Sequence, residues 1–178
     1  MKKIKDNIFS FKFQCVRCGN CCTMLPEGIP LFYKDAKRIA LFLSLSIDAF
    51  LLQYCGLVLN QVVIKGQEVK IPVLYLKTFD RICIFYKKCD NECLIQKAKP
   101  YVCKAAPLIS LPFQNKESAE FLKKHCKGFG NGTYYSKKKV KSIFEQEAKL
   151  EEKEWQLFND GLYDYLINLF SINKEVKK

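Results

Sequence analysis

Hydrophobic residues recur every three or four positions after Tyr33, which predicts an amphipathic helix. Its apolar face consists of Ala36, Ile39, Ala40 and Leu43. The charged residues fall on the other face: Lys34, Asp35, Lys37 and Arg38. A second short helix is predicted to begin after Ser46, a typical N-cap residue, with Asp48 in its first turn. The apolar side chains of this second helix are expected to point inward: Ile47, Phe50, Leu51 and Tyr54.

Two runs of residues with high β propensity follow, at 57–64 and 68–76. The turn-prone sequence Lys65-Gly66-Gln67 separates them, so the pattern predicts a β-hairpin. Proline has no N–H to donate to a ladder, and Pro72 is therefore expected at an edge or a bulge.

The second half of the chain ends in a predominantly helical pattern. Residues 117–125 are predicted to form a short helix, which ends at the glycine-rich stretch 128–132. That stretch lacks the flanking elements of a phosphate-binding loop, so we interpret it as a turn. Residues 136–170 predict a long helical tract in which Gly161 is a candidate break or kink. Six residues form an apolar stripe that fits core packing or a dimer seam: Trp155, Phe158, Leu162, Tyr165, Leu166 and Leu169.

These elements predict an α+β fold that is mostly helical. It would have an irregular cysteine-rich metal-binding core, a small β-hairpin and the long C-terminal helical tract. The length of 178 residues fits one domain, or one domain with an appendage, and the 49% hydrophobic content excludes a disordered chain. We expect residues 1–132 to form the cysteine-cluster metal-binding domain and residues 133–178 to form a helical extension packed on it.

The net charge of +12 changes this picture little. Of the 30 basic residues only three are arginines, which recognise phosphates and bases in a bidentate manner: Arg17, Arg38 and Arg81. Scattered lysines predict a weak, salt-sensitive and non-specific affinity for polyanions. A basic nucleic-acid-associated protein therefore stays open as an alternative, although it is not the favoured one.

The role of the cysteines depends on the cell compartment in which the protein is found. The basic N-terminal sequence lacks the apolar stretch and the cleavage site of a signal peptide. The longest apolar run, residues 39–47, is too short to span a bilayer. We therefore expect a cytoplasmic protein without a membrane span, in which the 10 cysteines are metal ligands or redox groups rather than disulfides.

The strongest chemical signal is the sequence Cys15-Val-Arg-Cys18-Gly-Asn-Cys21-Cys22. Its first three cysteines have the spacing of the bacterial ferredoxin run C-x₂-C-x₂-C-x₃-C-P. Leu25 stands where the fourth ligand of that run would be, so a fourth ligand must come from elsewhere. Gly19, directly after the second cysteine, tolerates a positive φ and would let backbone N–H groups approach the sulfurs.

The adjacent pair Cys21 and Cys22 adds a geometric constraint. In an extended backbone, successive side chains point to opposite faces. The two thiols are therefore expected to serve different metal shells, or to comprise one ligand and one free thiol. This arrangement suggests two adjacent centres.

The cysteine motif, together with Ile29-Pro30-Leu31 and Asp35-Ala-Lys-Arg38-Ile39-Ala40, resembles the opening of the YkgJ-type cysteine-cluster family. The stretch Cys93-Leu-Ile95-Gln-Lys-Ala-Lys99-Pro100-Tyr-Val-Cys103-Lys104-Ala-Ala-Pro107 is similar to the family pattern C-x-I-Y-x-x-R-P-x-x-C-R-x-x-P. Cys83-Ile-Phe85 is similar to its C-P-F element, and Cys126-Lys-Gly128-Phe-Gly130 to its C-x-G-x-G element. The resemblance covers roughly residues 11–132.

The resemblance implies a domain that chelates zinc or iron. It implies eight metal ligands: Cys15, Cys18, Cys21, Cys22, Cys83, Cys93, Cys103 and Cys126. Because all-sulfur sites suit both metals, the expected cofactor is either zinc or an iron–sulfur cluster such as 4Fe-4S. The ferredoxin-like spacing slightly favours iron–sulfur.

The sequence departs from the family pattern at several positions. Lys99 and Lys104 replace arginines, Gln96 replaces a tyrosine and Ile84 replaces a proline, which leaves the ligand set intact but places any role of the two arginines in doubt. Three further residues with ligand atoms lie outside the pattern. Cys55 is expected to be a buried hydrophobic residue. Cys89 is expected to be a substitute ligand or a free thiol, and His125 to be structural rather than a ligand.

Three functions are compatible with these residues. The first is an iron–sulfur protein with a redox role, such as an iron–sulfur-dependent oxidoreductase with an unidentified redox partner. The second is a structural zinc module that presents a surface to another protein. The third is the nucleic-acid-associated protein. The single histidine, and the absence of paired carboxylates near the cysteines, leave no recognisable catalytic base in the sequence.

Overall fold

A computed structural model of the protein describes residues 9–23, 28–64, 67–106 and 116–175. Helices dominate these residues and short strands connect them, which confirms the α+β, mostly helical class. The seven helices of the described residues are α1 (Asn20–Thr23), α2 (Tyr33–Phe42), α3 (Ile47–Tyr54), α4 (Tyr101–Ala105), α5 (Lys116–His125), α6 (Lys137–Leu157) and α7 (Tyr163–Glu175). A 3₁₀ turn, Gln96–Ala98, precedes α4, and a π-type turn, Phe158–Leu162, connects α6 to α7.

The strands form four small antiparallel sheets in the described part of the chain. They are β1 (Phe11–Phe13), β2 (Ile29–Pro30), β3 (Cys55–Ile64), β4 (Gln67–Leu76), β5 (Thr78–Phe79), β6 (Ile82–Cys83), β7 (Tyr86–Lys87), β8 (Glu92–Cys93) and β9 (Thr133–Tyr135). The largest sheet has the order β2-β4-β3, and the other three are the pairs β1-β9, β5-β6 and β7-β8.

Strands β3 and β4 form the predicted hairpin, although residues 65–66 of its predicted turn lie outside the described residues. Pro72 pairs in register with Leu59 of β3. On its other side, β4 pairs with β2 only at Tyr75 and Leu76. Pro72 therefore lies where β4 has a single described neighbour, which confirms the expected edge position.

Helix α3 begins where the sequence predicts. The Ser46 hydroxyl oxygen accepts a hydrogen bond of 3.2 Å from the Ala49 amide, as an N-cap residue does. Phe50 and Leu51 are completely buried on the inner face of this helix. They pack in the main core with the apolar face of α2, which is formed by Ala36, Ile39 and Ala40.

The prediction that Asp35 lies with the other charged residues of α2 on a polar face is wrong. Asp35 is only 3% exposed. Its carboxylate contacts Arg38 one turn along α2 and the backbone amide of Tyr101 in α4. A buried carboxylate is tolerated here because charged and polar partners satisfy its oxygens.

The C-terminal helices confirm the predicted break at Gly161. This residue has a φ of 101°, a conformation that glycine adopts at little cost, and it ends the helical geometry between α6 and α7. Leu162 and Leu166 enter the main core, so most of the predicted stripe serves core packing. Trp155 is the exception, because it is 37% exposed at the start of that stripe.

A second, smaller core joins the N-terminal strand β1 to the start of α6. Phe11 of β1 packs against Val140 and Phe144 of α6, and its ring stacks on Phe129 at a centroid distance of 5.0 Å.

No helix formed by the described residues is both long and apolar enough to cross a bilayer. The division of the chain at residues 132 and 133 stays a prediction.

Candidate metal centre

One cavity of about 690 Å³ collects most of the cysteines that the sequence singles out. Seven of the eight line it: Cys15, Cys18, Cys21, Cys22, Cys93, Cys103 and Cys126. Cys83 is buried rather than part of the cavity lining. Its thiol is nevertheless close enough to interact electrostatically with Cys22 and Cys103. Residues that are up to 111 positions apart in the chain (Cys15 to Cys126) are thus brought to one region.

The first cysteine loop is shaped by residues with positive φ. Gly19 has a φ of 77°, as expected for the glycine after the second cysteine, and Arg17 has a φ of 51°. The aromatic ring of Tyr86 packs directly over Gly19, so a Cβ atom there would overlap the tyrosine hydroxyl group. That hydroxyl group donates a hydrogen bond of 2.5 Å to Asn91 Oδ1. Both the backbone and the neighbouring side chain therefore require glycine at position 19.

Cys21 and Cys22 do not have the extended backbone that the sequence analysis assumed. They lie in the short helix α1, where the Cys22 amide donates a hydrogen bond of 2.8 Å to the Gly19 carbonyl oxygen. The Cys22 thiol donates a hydrogen bond to the Cys21 sulfur, which lowers the pKa of Cys21 to about 6 and raises the pKa of Cys22. Successive side chains point about 100° apart around a helical turn but about 180° apart along an extended backbone, so the helical turn lets these two thiols meet.

Backbone N–H groups donate to two of the other sulfurs. The Cys126 sulfur accepts from the amides of Gly128 and Phe129, and the Cys83 sulfur accepts from the amide of Phe85. Such N–H···S bonds stabilise a thiolate and tune the potential of a sulfur-ligated metal. Such a bond was expected near Gly19, and the Cys21 sulfur does accept one from its own amide, in addition to the bonds at these two later cysteines.

Burial has the opposite effect on the same thiols. It raises the pKa of Cys103 to about 12, and it also raises the pKa of Cys83 and Cys126. A metal ion displaces the thiol protons, because only the thiolate is a ligand. These three thiols are therefore protonated at neutral pH in the metal-free protein.

Hydrogen bonds connect the first cysteine loop to Cys126. Asn20 Nδ2 donates a bond of 2.7 Å to the carbonyl oxygen of His125, and the Gln14 amide donates one of 3.2 Å to Gly128. The pairing of β1 with β9 continues this contact. These bonds hold the end of α5 beside the loop, which places Cys126 at the cavity.

His125 lines the cavity but is already engaged. Its ring stacks on Phe121 at a centroid distance of 4.0 Å, and its Nδ1 atom lies 2.8 Å from the Phe121 carbonyl oxygen. These contacts are consistent with the structural role that the sequence analysis favoured.

Cys55 and Cys89 lie apart from the cavity. Cys55 is completely buried in the main core, where burial raises its pKa to about 12, and this confirms its role as a hydrophobic residue. Cys89 is exposed in the turn between β7 and β8 and does not line the cavity.

Lys99 is a residue of the site that the sequence analysis did not identify. It lines the cavity, and its charge lowers the pKa of three thiols, those of Cys21, Cys83 and Cys103. The signal available in the sequence was its position, because it replaces an arginine of the family pattern four residues before Cys103. Lys104, which replaces the second arginine, is exposed and does not line the cavity.

The chemistry of the donors fits a sulfur-ligated metal. All ten cysteines are free thiols, and the cavity collects seven of them. Zinc and iron–sulfur clusters both accept such an all-thiolate donor set. Among the described residues, no group of three or more His, Cys, Asp or Glu side chains is already arranged to hold a metal ion.

Comparison with protein families supports the same chemistry. The family model CxxCxxCC, described as a putative zinc- or iron-chelating domain, matches residues 14–127 of the chain. The matched region contains both cysteine-rich stretches, and it confirms the resemblance found in the sequence. Neither the curated proteins nor the solved structures gave a match.

Proposed function

We propose that this chain, which belongs to the CxxCxxCC family of zinc- or iron-chelating domains, holds an iron–sulfur cluster that has a redox role. Chelation of zinc or iron is what the description of the family model suggests, whereas the choice of an iron–sulfur cluster is our assignment. Eight thiolates are proposed as metal ligands, which is enough for two adjacent centres with four sulfur ligands each: Cys15, Cys18, Cys21, Cys22, Cys83, Cys93, Cys103 and Cys126.

The observation that carries this proposal is the presence of seven free thiols around one cavity. They come from four separate parts of the chain, and no disulfide competes for them. Collecting several thiols around one cavity without a cation gains little, because each is a weak hydrogen-bond donor and acceptor. A bound cation would give this concentration of sulfur a physical purpose.

Two features favour iron–sulfur over zinc. The spacing of Cys15, Cys18 and Cys21 equals that of the first three ligands of a bacterial ferredoxin run. The N–H···S bonds at Cys83 and Cys126 are of the kind that tunes the reduction potential of a cluster. A bound cluster would supply one-electron transfer, and its partner would be an electron donor or acceptor.

The second candidate is a structural zinc module, and the first cysteine loop favours it. Arg17, which lies between Cys15 and Cys18, has a positive φ, and so does Gly19 directly after Cys18. Short C-x₂-C turns of this kind are common ligand pairs in structural zinc sites. In this case the metal would stabilise the fold and would have no redox role.

Anaerobic purification from an iron-replete host distinguishes the two candidates. We expect a brown protein that contains iron and acid-labile sulfide in similar amounts and whose visible absorption bleaches on reduction. A colourless protein fully loaded with zinc would place the structural module first. A protein without metal would contradict both candidates.

Cysteine replacements identify the ligands in the same preparation. Cys103→Ser should lower the metal content, because Cys103 lines the cavity. Cys89→Ser is the matched control, since Cys89 is exposed and lies outside the cavity lining. Equal metal contents in the two variants would contradict the proposed ligand set.

A reducing compartment keeps such thiols available as ligands, and we therefore propose that the protein is cytoplasmic.

A further inference from the structure

The side chains of Asp35 and Arg38 hold the backbone on both sides of Pro100. Asp35 Oδ1 lies 2.7 Å from Arg38 Nη1, so the two residues form an ion pair one turn apart on α2. Asp35 Oδ2 accepts a hydrogen bond of 2.7 Å from the amide of Tyr101. Arg38 Nη2 donates one of 2.7 Å to the carbonyl oxygen of Lys99. One ion pair thus fixes the entry into α4.

This ion pair satisfies groups that the local sequence leaves without partners. Pro100 is the N-cap residue of α4 and has no side-chain group that could bond the free amides of the first helical turn. The Asp35 carboxylate fulfils that role from another helix. Asp35 is 3% exposed and Pro100 is fully buried, so the carboxylate side of this contact is shielded from water.

The backbone segment that this contact fixes includes Lys99, whose side chain lines the cysteine cavity. Two of the described residues that line the cavity are cationic, Arg17 and Lys99, and of these Lys99 is the one whose backbone is bound by Arg38. It lines the cavity together with Cys21 and Cys103. The carbonyl group of Lys99 is bound by Arg38, so its side chain leaves a fixed backbone.

A positive charge beside a thiolate-ligated metal centre would offset the net negative charge of that centre. Four thiolates and one divalent zinc ion carry a net charge of about −2, and so do four thiolates around an oxidised 4Fe-4S core. An ammonium group in a partly buried site stabilises that negative charge more than it would in water.

We propose that Asp35 and Arg38 are positioning residues that direct the Lys99 ammonium group toward the metal centre, where it offsets the charge of the thiolate ligands. This inference rests on the proposed metal-binding function. Lys99 then sets the affinity for the metal and, for an iron–sulfur cluster, the reduction potential. It is not a ligand itself.

The first test measures metal retention in competition with a chelator. Lys99→Met, which removes the charge and keeps the length, should weaken retention about tenfold, whereas Lys99→Arg should restore it. Lys97→Met is the matched control, because Lys97 is exposed two residues away and does not line the cavity. If the centre is an iron–sulfur cluster, Lys99→Met should disfavour reduction about tenfold, which lowers a one-electron potential by about 59 mV.

The second test separates positioning from simple stabilisation. Asp35→Asn should weaken metal retention in the wild-type background and have little further effect in a Lys99→Met background, since the lysine it positions is then absent. Its effect on Tm should be the same in both backgrounds. If Asp35→Asn does not fold, Arg38→Lys keeps the charge and removes the fork geometry, and the same cycle is measured with it.

Three outcomes would overturn the inference. Equal retention by the Lys99→Met and Lys97→Met variants would remove the charge role while leaving the metal-binding function in place. If Asp35→Asn weakens metal retention equally in the wild-type and Lys99→Met backgrounds, Asp35 does not act by positioning Lys99. A wild-type protein that retains no metal would overturn the proposed function, and this inference would fall with it.

Discussion

Glu154 of α6 caps the N-terminus of α2, because its Oε1 atom accepts a hydrogen bond of 2.6 Å from the amide of Tyr33. Helix α2 has no side-chain cap of its own, since its N-cap residue is Phe32. The carboxylate also lies at the positive end of the helix dipole. A residue of the C-terminal helical tract thereby provides a hydrogen-bond acceptor for the first backbone amide of α2, the helix that contains Asp35.

Removal of this cap should destabilise the protein. We expect Glu154→Ala to lower the free energy of unfolding by about 1 kcal/mol, the usual cost of losing an N-cap acceptor. Glu152→Ala, on the exposed side of the same helix, is the matched control and should change it by less than about 0.5 kcal/mol. Denaturant unfolding measures both values, and equal values would contradict the capping role.

The same carboxylate predicts a pH dependence. Burial raises the pKa of Glu154 above its usual range, although the Tyr33 amide opposes this effect. Because the folded-state pKa is the higher one, folding favours the protonated form. The wild type should therefore gain stability relative to Glu154→Gln as the pH falls through the raised pKa, and this gain should be lost as the pH rises. A stability difference that does not vary with pH would contradict the shift.

Gly19 provides a test of the first cysteine loop. Gly19→Ala should cost about 2 kcal/mol or more, because it combines a positive φ with an overlap of the new methyl group and the Tyr86 hydroxyl group. Gly130→Ala is the matched control, since Gly130 has a φ of 89° but open space around its Cβ position. It should cost about 1 kcal/mol, from the backbone conformation alone. Equal losses in thermal unfolding would remove the steric role of Tyr86.

Metal removal should loosen the two cysteine-rich regions more than the C-terminal helices. Residues 13–23 and 81–104 lack periodic apolar residues, so coordination must offset much of the entropy lost when they become ordered. We expect chelation to accelerate hydrogen exchange in these two regions, and to leave α7, which packs in the main core through Leu166, largely protected. Uniform protection with and without metal would contradict this coupling.

The parts of the fold that the sequence predicts correctly depend on short-range rules. Ser46 contacts an amide three residues away, and the break at Gly161 follows from the conformational freedom of one residue. The positive φ of Gly19 is equally local. Such features are encoded by a few adjacent residues, and tertiary packing did not override them here.

The features that the sequence does not reveal depend on distant partners. The Asp35 carboxylate binds an amide 66 residues away, and Glu154 binds one 121 residues away. Periodicity assigns a residue to a face of its helix but does not show what packs against that face. The helical turn at Cys21 and Cys22 was missed for a related reason, because four residues are too few to show a helical period.

The part of the site that the sequence predicts from spacing is also local, whereas the part that depends on distant contacts is not. The spacing within residues 15–22 indicates that these thiols can approach one another, since short loops allow it. The approach of Cys126 depends on contacts such as that between Asn20 and His125, which are 105 residues apart. Only the family resemblance indicated that both regions belong to one site.

Native mass spectrometry of the anaerobically purified protein tests the central claim most directly, because it weighs the chain together with everything bound to it. We expect the mass of the chain plus inorganic iron and sulfide in equal numbers, with one proton fewer for each positive charge on the cluster core. The mass of the chain plus zinc alone would contradict the iron–sulfur assignment. The mass of the bare chain with all of its thiol protons would contradict metal binding altogether.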